Sequence, residues 1–284
     1  MKRAIVFAHF DKNNIIQDYV LYYLKELKKI SDTIIFVSDS NLQQTEISKV
    51  EQIVNKVISG HHGEYDFGSY KIGYQHLLAQ KNLAEFNEFV FVNDSCIGPL
   101  LNLDIIFNKM SEKDCDFWGI GINKDNKIKH VQSFFLVFKS KIINSECFKK
   151  FILDIKKEIT KDDVINKYEI GLSKMLKENK YKMDSYLDYE LGNKITGELF
   201  FSKKLQPLIK TSAIRGLQNW CIVYIFNILA SRYNCCYPFV ILKEYLLNYP
   251  SKLSKSLQSI RRLYINIQFS RKKGHIGTWK FNWK

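Results

Sequence analysis

Residues 89–101 read FVFVNDSCIGPLL, and this stretch indicates the fold class. Its first four residues are apolar and predict a buried strand, which runs directly into Asn93, Asp94 and Ser95. In open α/β sheets ligands bind at the carboxyl ends of the strands, so polar residues at this point are candidates for function. The alternative is that the three residues only form an Asx-type turn after the strand.

Working outward, short apolar runs alternate with amphipathic stretches through the first 160 residues. We predict strands at residues 4–8, 33–37, 56–59, 88–92, 116–120 and 131–138. We predict helices at residues 15–29, 47–57, 70–80 and 167–180. Strands that alternate with helices predict an α/β fold, a mainly parallel sheet with helices on both faces. Apolar segments at 205–209, 214–230 and 237–247 indicate a helical C-terminal part.

The polar residues that follow the predicted strands are the first candidates for chemistry. They are His9, Asp11, Asp39, Asp66, Asn93 and Asp94.

Composition limits the class of protein. Hydrophobic residues make up 46% of the chain, which excludes wholesale disorder. The six cysteines form no C-x-x-C pair, so a zinc or redox motif is not expected and the thiols indicate a reducing compartment. The opening MKRAIVFAHFD turns polar too soon for a signal peptide, and the apolar run at residues 220–230 is shorter than a membrane span. We expect a cytoplasmic protein, with peripheral attachment to the inner face of the cell membrane.

The attachment is expected through the tail, residues 251–284, which holds nine Lys or Arg and no Asp or Glu. This tail accounts for most of the formal net charge of +14. A basic segment attracts polyanions, and the interleaved Trp279 and Trp283 suit a membrane interface. We therefore expect an anionic membrane surface as a partner and no nucleic acid. The alternative is a solvated terminus that binds nothing specific.

A glycine-rich segment, GHHGEYDFGSYKIG at residues 60–73, precedes and enters a predicted helix. Glycine lets a backbone approach a ligand closely, and a helix N-terminus favours an anion. The segment is neither a P-loop nor a dinucleotide fingerprint. Asp66, Gly68 and Lys71 are its candidate donor-binding residues. Its adjacent histidines could ligate a metal or could simply be solvated.

Two further stretches supply candidates. His130 and Gln132 alternate with apolar neighbours, so we predict that they face one side of a strand, where they could bind an acceptor. His130 could equally be a satisfied core histidine. Glu169 is predicted to open an amphipathic helix, where an acid complements the helix dipole. Alternatively, it is the general base for a sugar hydroxyl.

Five strings of the chain resemble the rhamnan-synthesis F family, glycosyltransferases of bacterial polysaccharide assembly. They agree with the family in order and spacing: YDFGSYKIG (65–73), VNDSCIGPL (92–100), DFWGI (116–120), HVQSFFLVF (130–138) and YEIGLS (168–173). Weaker matches are PLIK (207–210) and YPFVI (237–241). The resemblance covers residues 4 to about 245 and does not include the basic tail.

This resemblance implies a GT-A-like, nucleotide-binding glycosyltransferase domain over residues 1–250, followed by the tail. It implies an activated deoxyhexose, typically dTDP-rhamnose, as donor and a lipid-linked or polysaccharide acceptor. Asp94 then stands where the family type of enzyme has an Asp-x-Asp, with Asn93 and Ser95 beside it as donor-binding residues. Asp94 is thus the candidate ligand for a divalent cation, Mg²⁺ or Mn²⁺. The second acid of that motif is missing here, which puts tight metal dependence in doubt.

The expected reaction is an inverting transfer with Glu169 as base and Asp94 in the catalytic site. Glu64 or Asp66 could also serve as the base. Two other functions remain open at this stage: a nucleotidyltransferase, and a non-catalytic glycan- or RNA-binding protein. A nucleotidyltransferase would need a basic glycine-rich loop after the first strand, and residues 9–14 (HFDKNN) contain no glycine.

Overall fold

The computed structural model describes residues 1–80, 83–123, 128–187 and 207–212, together with Ile241. The predicted helices at 214–230 and 237–247 and the basic tail lie outside these residues, apart from Ile241, which packs against the core. Within the described ranges, no helix combines the length and apolar character needed to cross a membrane.

The described chain alternates strands and helices as the sequence predicts. The strands are β1 Arg3–His9, β2 Thr33–Ser38, β3 Lys56–Ser59, β4 Glu88–Asn93, β5 Cys96–Ile97, β6 Phe117–Gly119, β7 Ile122–Asn123, β8 His130–Val131, β9 Phe135–Lys139, β10 Met183–Ser185 and β11 Ile209–Lys210. The helices are α1 Asp18–Lys28, α2 Gln44–Glu51, α3 Tyr65–Ala79, α4 Leu103–Ser111, α5 Ser140–Ile143, α6 Glu146–Leu153, α7 Lys161–Val164 and α8 Gly171–Glu178. A 3₁₀ turn forms at Leu83–Glu85, and a π-helical segment at Ile165–Ile170 joins α7 to α8.

Seven strands form one sheet in the order β10-β6-β9-β4-β1-β2-β3. β1 runs parallel to β2 and β4, and β2 runs parallel to β3. β9 is antiparallel to both β4 and β6, while β10 is parallel to β6. Two small sheets, β5 with β11 and β7 with β8, lie beside it. The predicted mixed α/β class with a mostly parallel sheet is confirmed, and the carboxyl ends of β1, β2 and β4 meet at one edge.

Successive residues of a strand point to opposite sides of the sheet, so each strand has two apolar faces here. Helices cover both of these faces. Ile5 and Phe7 of β1 belong to the apolar cluster that contains the buried side of α1 and α4. Val6 and Ala8 belong to the other cluster, with α3 and α6. A Cβ on Gly73 of α3 would lie 2.4 Å from a methyl group of Val6, so only glycine allows this helix to pack so close to β1.

Several predicted elements differ in the structure. The helix predicted at 47–57 is α2, which ends at Glu51, and the segment 205–209, predicted as part of a helical half, contributes Ile209 to β11. α3 begins at Tyr65, five residues before the predicted start, because its Gly68 lets the preceding loop fold against the helix. The predicted strand at 131–138 is divided: a turn at residues 133–134 separates β8 from β9, and the two lie in different sheets. Glu169 does not open a helix, since the helical stretch begins at Lys161 and continues through the π-helical segment. The helix-dipole explanation of Glu169 is therefore wrong.

Candidate functional site

The candidate site is a crevice at the carboxyl ends of β1, β2 and β4. Asp94 stands between β1 and β4: its backbone N–H donates to the Ala8 carbonyl at 3.2 Å, and its Oδ2 accepts from the Phe10 N–H at 2.9 Å. The Tyr19 hydroxyl donates to the Asp94 carbonyl at 2.9 Å. These contacts fix the direction of a carboxylate that is only 13% exposed.

The Asx-type turn that was the alternative to a functional role does form at residues 93–95, and the side chain of Asn93 makes its hydrogen bonds. The Asn93 side-chain oxygen accepts from the Ser95 N–H at 3.1 Å and from the Ser95 hydroxyl at 2.5 Å. Asp94 lies inside the turn and takes no part in these two bonds. The turn and a functional role for Asp94 are therefore compatible.

Asn93 also links the strand to α3. Its side-chain N–H donates to Asp66 Oδ2 at 2.7 Å, so the structure brings Asp66 beside the Asn93–Ser95 turn. Part of Asp66 remains open to the crevice, yet protein surrounds it closely enough that burial raises the pKa of its carboxyl to about 6. The negative charges of Glu169 and Asp39 act in the same direction.

Gly68 and Lys71 lie on the same helix as Asp66 but have other contacts. A Cβ on Gly68 would lie 2.2 Å from Glu64 Cβ, so this glycine serves the packing of the loop. The Lys71 ammonium pairs with the Glu64 carboxylate and donates to the Ile155 carbonyl at 2.9 Å. These contacts join α3 to the segment after α6.

The two loop histidines are organised around Asp39, which is buried after β2. Asp39 Oδ1 accepts from the backbone N–H groups of His62 at 2.5 Å and Gly63 at 2.9 Å. His61 Nδ1 lies 3.0 Å from the same oxygen. Burial lowers the pKa of His62, whose Nε2 contacts the Ser69 hydroxyl at 3.0 Å. The glycine-rich loop is therefore wrapped around one carboxylate.

β1 ends in a neutral histidine. His9 Nδ1 lies 2.8 Å from the Ser38 hydroxyl, and its Nε2 lies 3.9 Å from Asp94 Oδ2. Burial lowers the pKa of His9 to about 4, so the imidazole carries no charge at neutral pH. Asp11 is buried next to it, and its Oδ1 accepts from the Asn13 N–H at 2.7 Å.

Glu169 and His130, candidates for separate roles, form one cluster. Glu169 Oε2 accepts from the Ser133 N–H at 2.8 Å and from the Ser133 hydroxyl. Its Oε1 lies 3.4 Å from His130 Nε2. Burial would raise the pKa of Glu169, but the contacts with His130 and Ser133 outweigh burial and lower it. Glu169 belongs to the π-helical segment, an irregularity that is frequent at functional sites.

The neighbours of this cluster indicate which nitrogen of His130 carries a proton, and they include a second polar side chain. His130 Nδ1 lies 3.0 Å from the Ile128 carbonyl, an acceptor, so on hydrogen-bond grounds Nδ1 carries a proton. Gln132, the other acceptor candidate, is buried, and no described residue hydrogen-bonds to its side-chain oxygen. A buried carbonyl of this kind is a suitable acceptor for a ligand hydroxyl.

Lys210 was not among the residues predicted from the sequence. It lies on β11 opposite Cys96 of β5, and its Nζ is 5.3 Å from the centre of the Phe134 ring. The only signal for it was the PLIK string of the family resemblance, in which no role was assigned to the lysine.

A complete metal site is not formed by the part of the chain that the structure describes. It contains no group of three or more His, Cys, Asp or Glu side chains arranged to hold a metal ion. Asp94 could contribute one oxygen, and the missing second acid is replaced by a Cys96 that is fully buried.

Comparison with known protein families shows which family the sequence matches. The model of the family described as "Rhamnan synthesis protein F" matches residues 34–234. Virulence protein VirA of Vibrio anguillarum is 34% identical over 113 residues, which are 38% of this chain and 34% of VirA. The matched part thus spans about a third of the length of that curated relative.

Among solved structures, similarity is weak. A cytidylyltransferase from Leptospira borgpetersenii has 12% identity and a TM-score of 0.42, with 100% of both chains covered. Residues 1–349 of TarS from S. aureus have 12% identity and a TM-score of 0.40, with 96% of this chain and 74% of that one covered. Such scores carry no argument about activity. The match to the family model extends over more than half of the sequence, and the chain therefore belongs to the rhamnan synthesis protein F family.

Proposed function

We propose that this chain is a glycosyltransferase that moves a sugar from a nucleoside diphosphate sugar to a hydroxyl group of a bacterial surface-glycan precursor. The observation that carries the proposal is the crevice, where Asp94, Asp66 and Glu169 converge at the carboxyl ends of parallel strands. Family membership supports a glycan as acceptor and a deoxyhexose such as rhamnose as the transferred sugar.

In this proposal the Asn93–Ser95 turn binds the donor, and Asp66 lies beside that turn. Carboxylates fixed by hydrogen bonds are suitable partners for sugar hydroxyls, because an ionised acceptor makes the stronger bonds. Asp94 is also the residue that could ligate Mg²⁺ or Mn²⁺, which usually takes one or two protein carboxylates and otherwise phosphate and water. The proton transfer does not depend on that ion. His130 and Gln132 are proposed to form the acceptor side.

The reaction is proposed to invert the anomeric carbon. The acceptor oxygen forms a bond to this carbon while the bond to the diphosphate breaks, and the diphosphate leaves with the bonding electrons. A carboxylate takes the proton of the acceptor hydroxyl. Removal of this proton in the transition state contributes about 10²–10⁴-fold to such reactions, with the best base having a pKa near the working pH.

The contacts favour Asp66 over Glu169 as this base. Ser133 donates to one oxygen of Glu169 and His130 Nε2 lies 3.4 Å from the other, and these contacts lower the pKa of the carboxyl, so it is stabilised in the ionised form. Asp66 accepts one hydrogen bond from Asn93, and within the described ranges no donor reaches its other oxygen. A pKa of about 6 leaves Asp66 ionised at neutral pH while keeping it basic enough to hold a proton. Glu169 then positions His130 and Ser133 on the acceptor side.

The test begins with the purified full chain and a panel of nucleotide sugars that includes dTDP-rhamnose, with and without Mn²⁺. A ligand at a hundredfold excess over its Kd stabilises the folded protein by about 2.7 kcal/mol, which a thermal shift detects. The donor identified in this way is incubated with an acceptor glycan, and the anomeric configuration of the product is read by NMR. Absence of nucleotide-sugar binding, or RNA binding without transfer, would count against a glycosyltransferase.

Membrane attachment through residues 251–284 is a separate proposal, and its support is the charge of the tail. Anionic lipid attracts each nearby Lys or Arg by about 1 kcal/mol. Flotation with anionic and neutral vesicles should compare the full chain with one that ends near Pro250. We expect binding to anionic vesicles that weakens with salt and needs the tail. Equal binding by the folded, shortened chain would refute it.

A further inference from the structure

Lys210 is held against the Asn93–Ser95 turn by backbone hydrogen bonds. β11 pairs antiparallel with β5, so Lys210 stands opposite Cys96, the residue after the turn. The Thr211 N–H donates to the Ser95 carbonyl at 2.8 Å, and the Leu100 N–H donates to the Pro207 carbonyl at 2.7 Å. The position of Lys210 is therefore set by the same strand pairing that shapes the turn.

The ammonium group of Lys210 has an aromatic neighbour instead of a carboxylate. Its Nζ lies 5.3 Å from the centre of the Phe134 ring, a distance at which the ring face attracts a cation. No described carboxylate forms an ion pair with it, although its charge acts on Glu169 and Cys96. Lys210 is partly exposed, as a side chain that binds a ligand from solution must be.

The charge of the crevice favours a fixed cation beside an anionic ligand. Four carboxylates gather there, those of Asp39, Asp66, Asp94 and Glu169, and like charges at short range repel a diphosphate. Lys161 of α7 also acts on Asp66, but it is exposed, and no strand pairing holds it at the Asn93–Ser95 turn. Lys210 is the basic residue that the strand pairing places at the turn itself.

We propose that Lys210 binds the diphosphate of the nucleotide donor at the Asn93–Ser95 turn and stabilises it as the leaving group. This inference rests on the proposed function and adds a residue to it. As the bond between the anomeric carbon and the phosphate oxygen breaks, negative charge grows on that oxygen. A fixed ammonium beside it stabilises this charge without needing to reorganise. Lysine is a regular phosphate ligand that acts as a point charge with three donors.

The experiment measures binding of dTDP and UDP, and of the uncharged thymidine and uridine, by calorimetry with the full chain. The variants are Lys210→Met, which keeps an apolar stem against Phe134, and Lys210→Arg, which keeps the charge. Lys174→Ala is the matched control, because Lys174 is an exposed lysine of α8 that pairs with Glu178. All titrations are run in EDTA and repeated with Mn²⁺, and the variants are first compared with the wild type by thermal unfolding.

We expect Lys210→Met to weaken diphosphate binding at least about tenfold, or 1.4 kcal/mol, while nucleoside binding is unchanged. Lys210→Arg should retain most of the affinity, and Lys174→Ala should match the wild type. If the wild type binds dTDP or UDP and Lys210→Met binds it equally well, or loses nucleoside binding to the same extent, the role of Lys210 is refuted and the proposed function stands. If the wild type binds neither dTDP nor UDP, nor any nucleotide sugar of the panel, both proposals fail.

Discussion

The amino and carboxyl ends of β1 and β4 differ in the charged side chains that lie there. At the amino ends, the guanidinium of Arg3 donates to Glu88 Oε2 through Nε at 2.8 Å and Nη2 at 2.6 Å. The guanidinium carbon also lies 3.8 Å from the centre of the Phe107 ring. At the carboxyl ends, the same strands finish in the neutral His9 and in Asp94, within a group of carboxylates. The amino ends pair their charges, while the carboxyl ends collect like charges.

The charged residues at the amino ends of these strands therefore serve stability, and those at the carboxyl ends are proposed to serve function. A buried charge with a hydrogen-bonded partner keeps the strands in register, and removal of one partner lowers the stability of the folded protein strongly. A group of like-charged carboxylates in a crevice costs stability, and shifted pKa values such as that of Asp66 are typical of functional sites. The comparison therefore predicts that changes at the amino ends unfold the protein, while changes at the carboxyl ends remove activity from a folded one.

The largest effect is expected for Glu88→Ala, which leaves the Arg3 guanidinium buried without its carboxylate. Breaking one partner of a buried pair costs about 3–5 kcal/mol, and urea unfolding should show this loss. The control is Glu85→Ala, since Glu85 pairs with Lys2 at the surface and such pairs contribute about 0–1 kcal/mol. A loss below about 1 kcal/mol for Glu88→Ala would mean that the amino ends do not depend on this pair.

Next in size is the loss of turnover in Asp66→Asn, which we expect to be at least about 100-fold, or 2.7 kcal/mol of barrier. The donor should still bind, because the new side-chain amide can accept the hydrogen bond from Asn93. Wild-type turnover should fall as the pH drops through about 6, where Asp66 takes up a proton. Glu169→Gln is the comparison variant, with a smaller loss and an unchanged acid limb. The opposite ranking of the two variants would return the role of base to Glu169.

The fold could be predicted from sequence because the signals were local. The strand at 88–92 is an apolar run, and the polar residues after it had to lie at a sheet edge once the strands were parallel. The same reasoning found Asp39, Asp66 and Asp94 before any geometry was known.

The remaining parts of the site depend on contacts between distant segments. Glu169 meets Ser133 across 36 residues of sequence, and no local pattern encodes this contact. The position of Lys210 comes from a two-residue strand, too short for a period of two to be visible. The packing of Gly68 could not be predicted, because a glycine within a helix and a glycine in a loop look alike in sequence, and only the contact with Glu64 distinguishes them.

A smaller effect is expected for Asp94→Asn. The change keeps the shape of the side chain and its oxygen for the Phe10 N–H, so the fold should survive. Loss of the negative charge should lower turnover at least about tenfold, or 1.4 kcal/mol. Initial rates and thermal unfolding should be measured on the same sample. Unchanged turnover would remove Asp94 from the site, and a lower melting temperature would show that it serves the fold.

The smallest expected effect is a gain in stability, and it tests whether the carboxyl ends are strained by their charges. The pKa of Asp66 is raised from 3.8 to about 6 in the folded chain. The folded state therefore holds this proton more tightly than the unfolded state, and stability is lost as the pH rises from about 4 through 6. The amide side chain of Asp66→Asn does not titrate, so this variant should become more stable than the wild type at pH 7.5. The full shift corresponds to about 3 kcal/mol. Solvent screens the partly exposed carboxyl, which reduces the expected gain to about 1 kcal/mol.

At pH 4.5 the two proteins should differ less, because most of the Asp66 carboxyl is protonated in the folded wild type. Urea midpoints at both pH values measure the difference, and the other titrating groups, including His9, are present in both proteins and largely cancel. Glu64→Gln is the control: Glu64 is a neighbouring acid whose charge is paired with Lys71, so its removal should not stabilise the protein at pH 7.5. If Asp66→Asn is no more stable than the wild type at pH 7.5, or its advantage is equal at both pH values, the carboxylates at this end of the sheet are not held at a cost to folding.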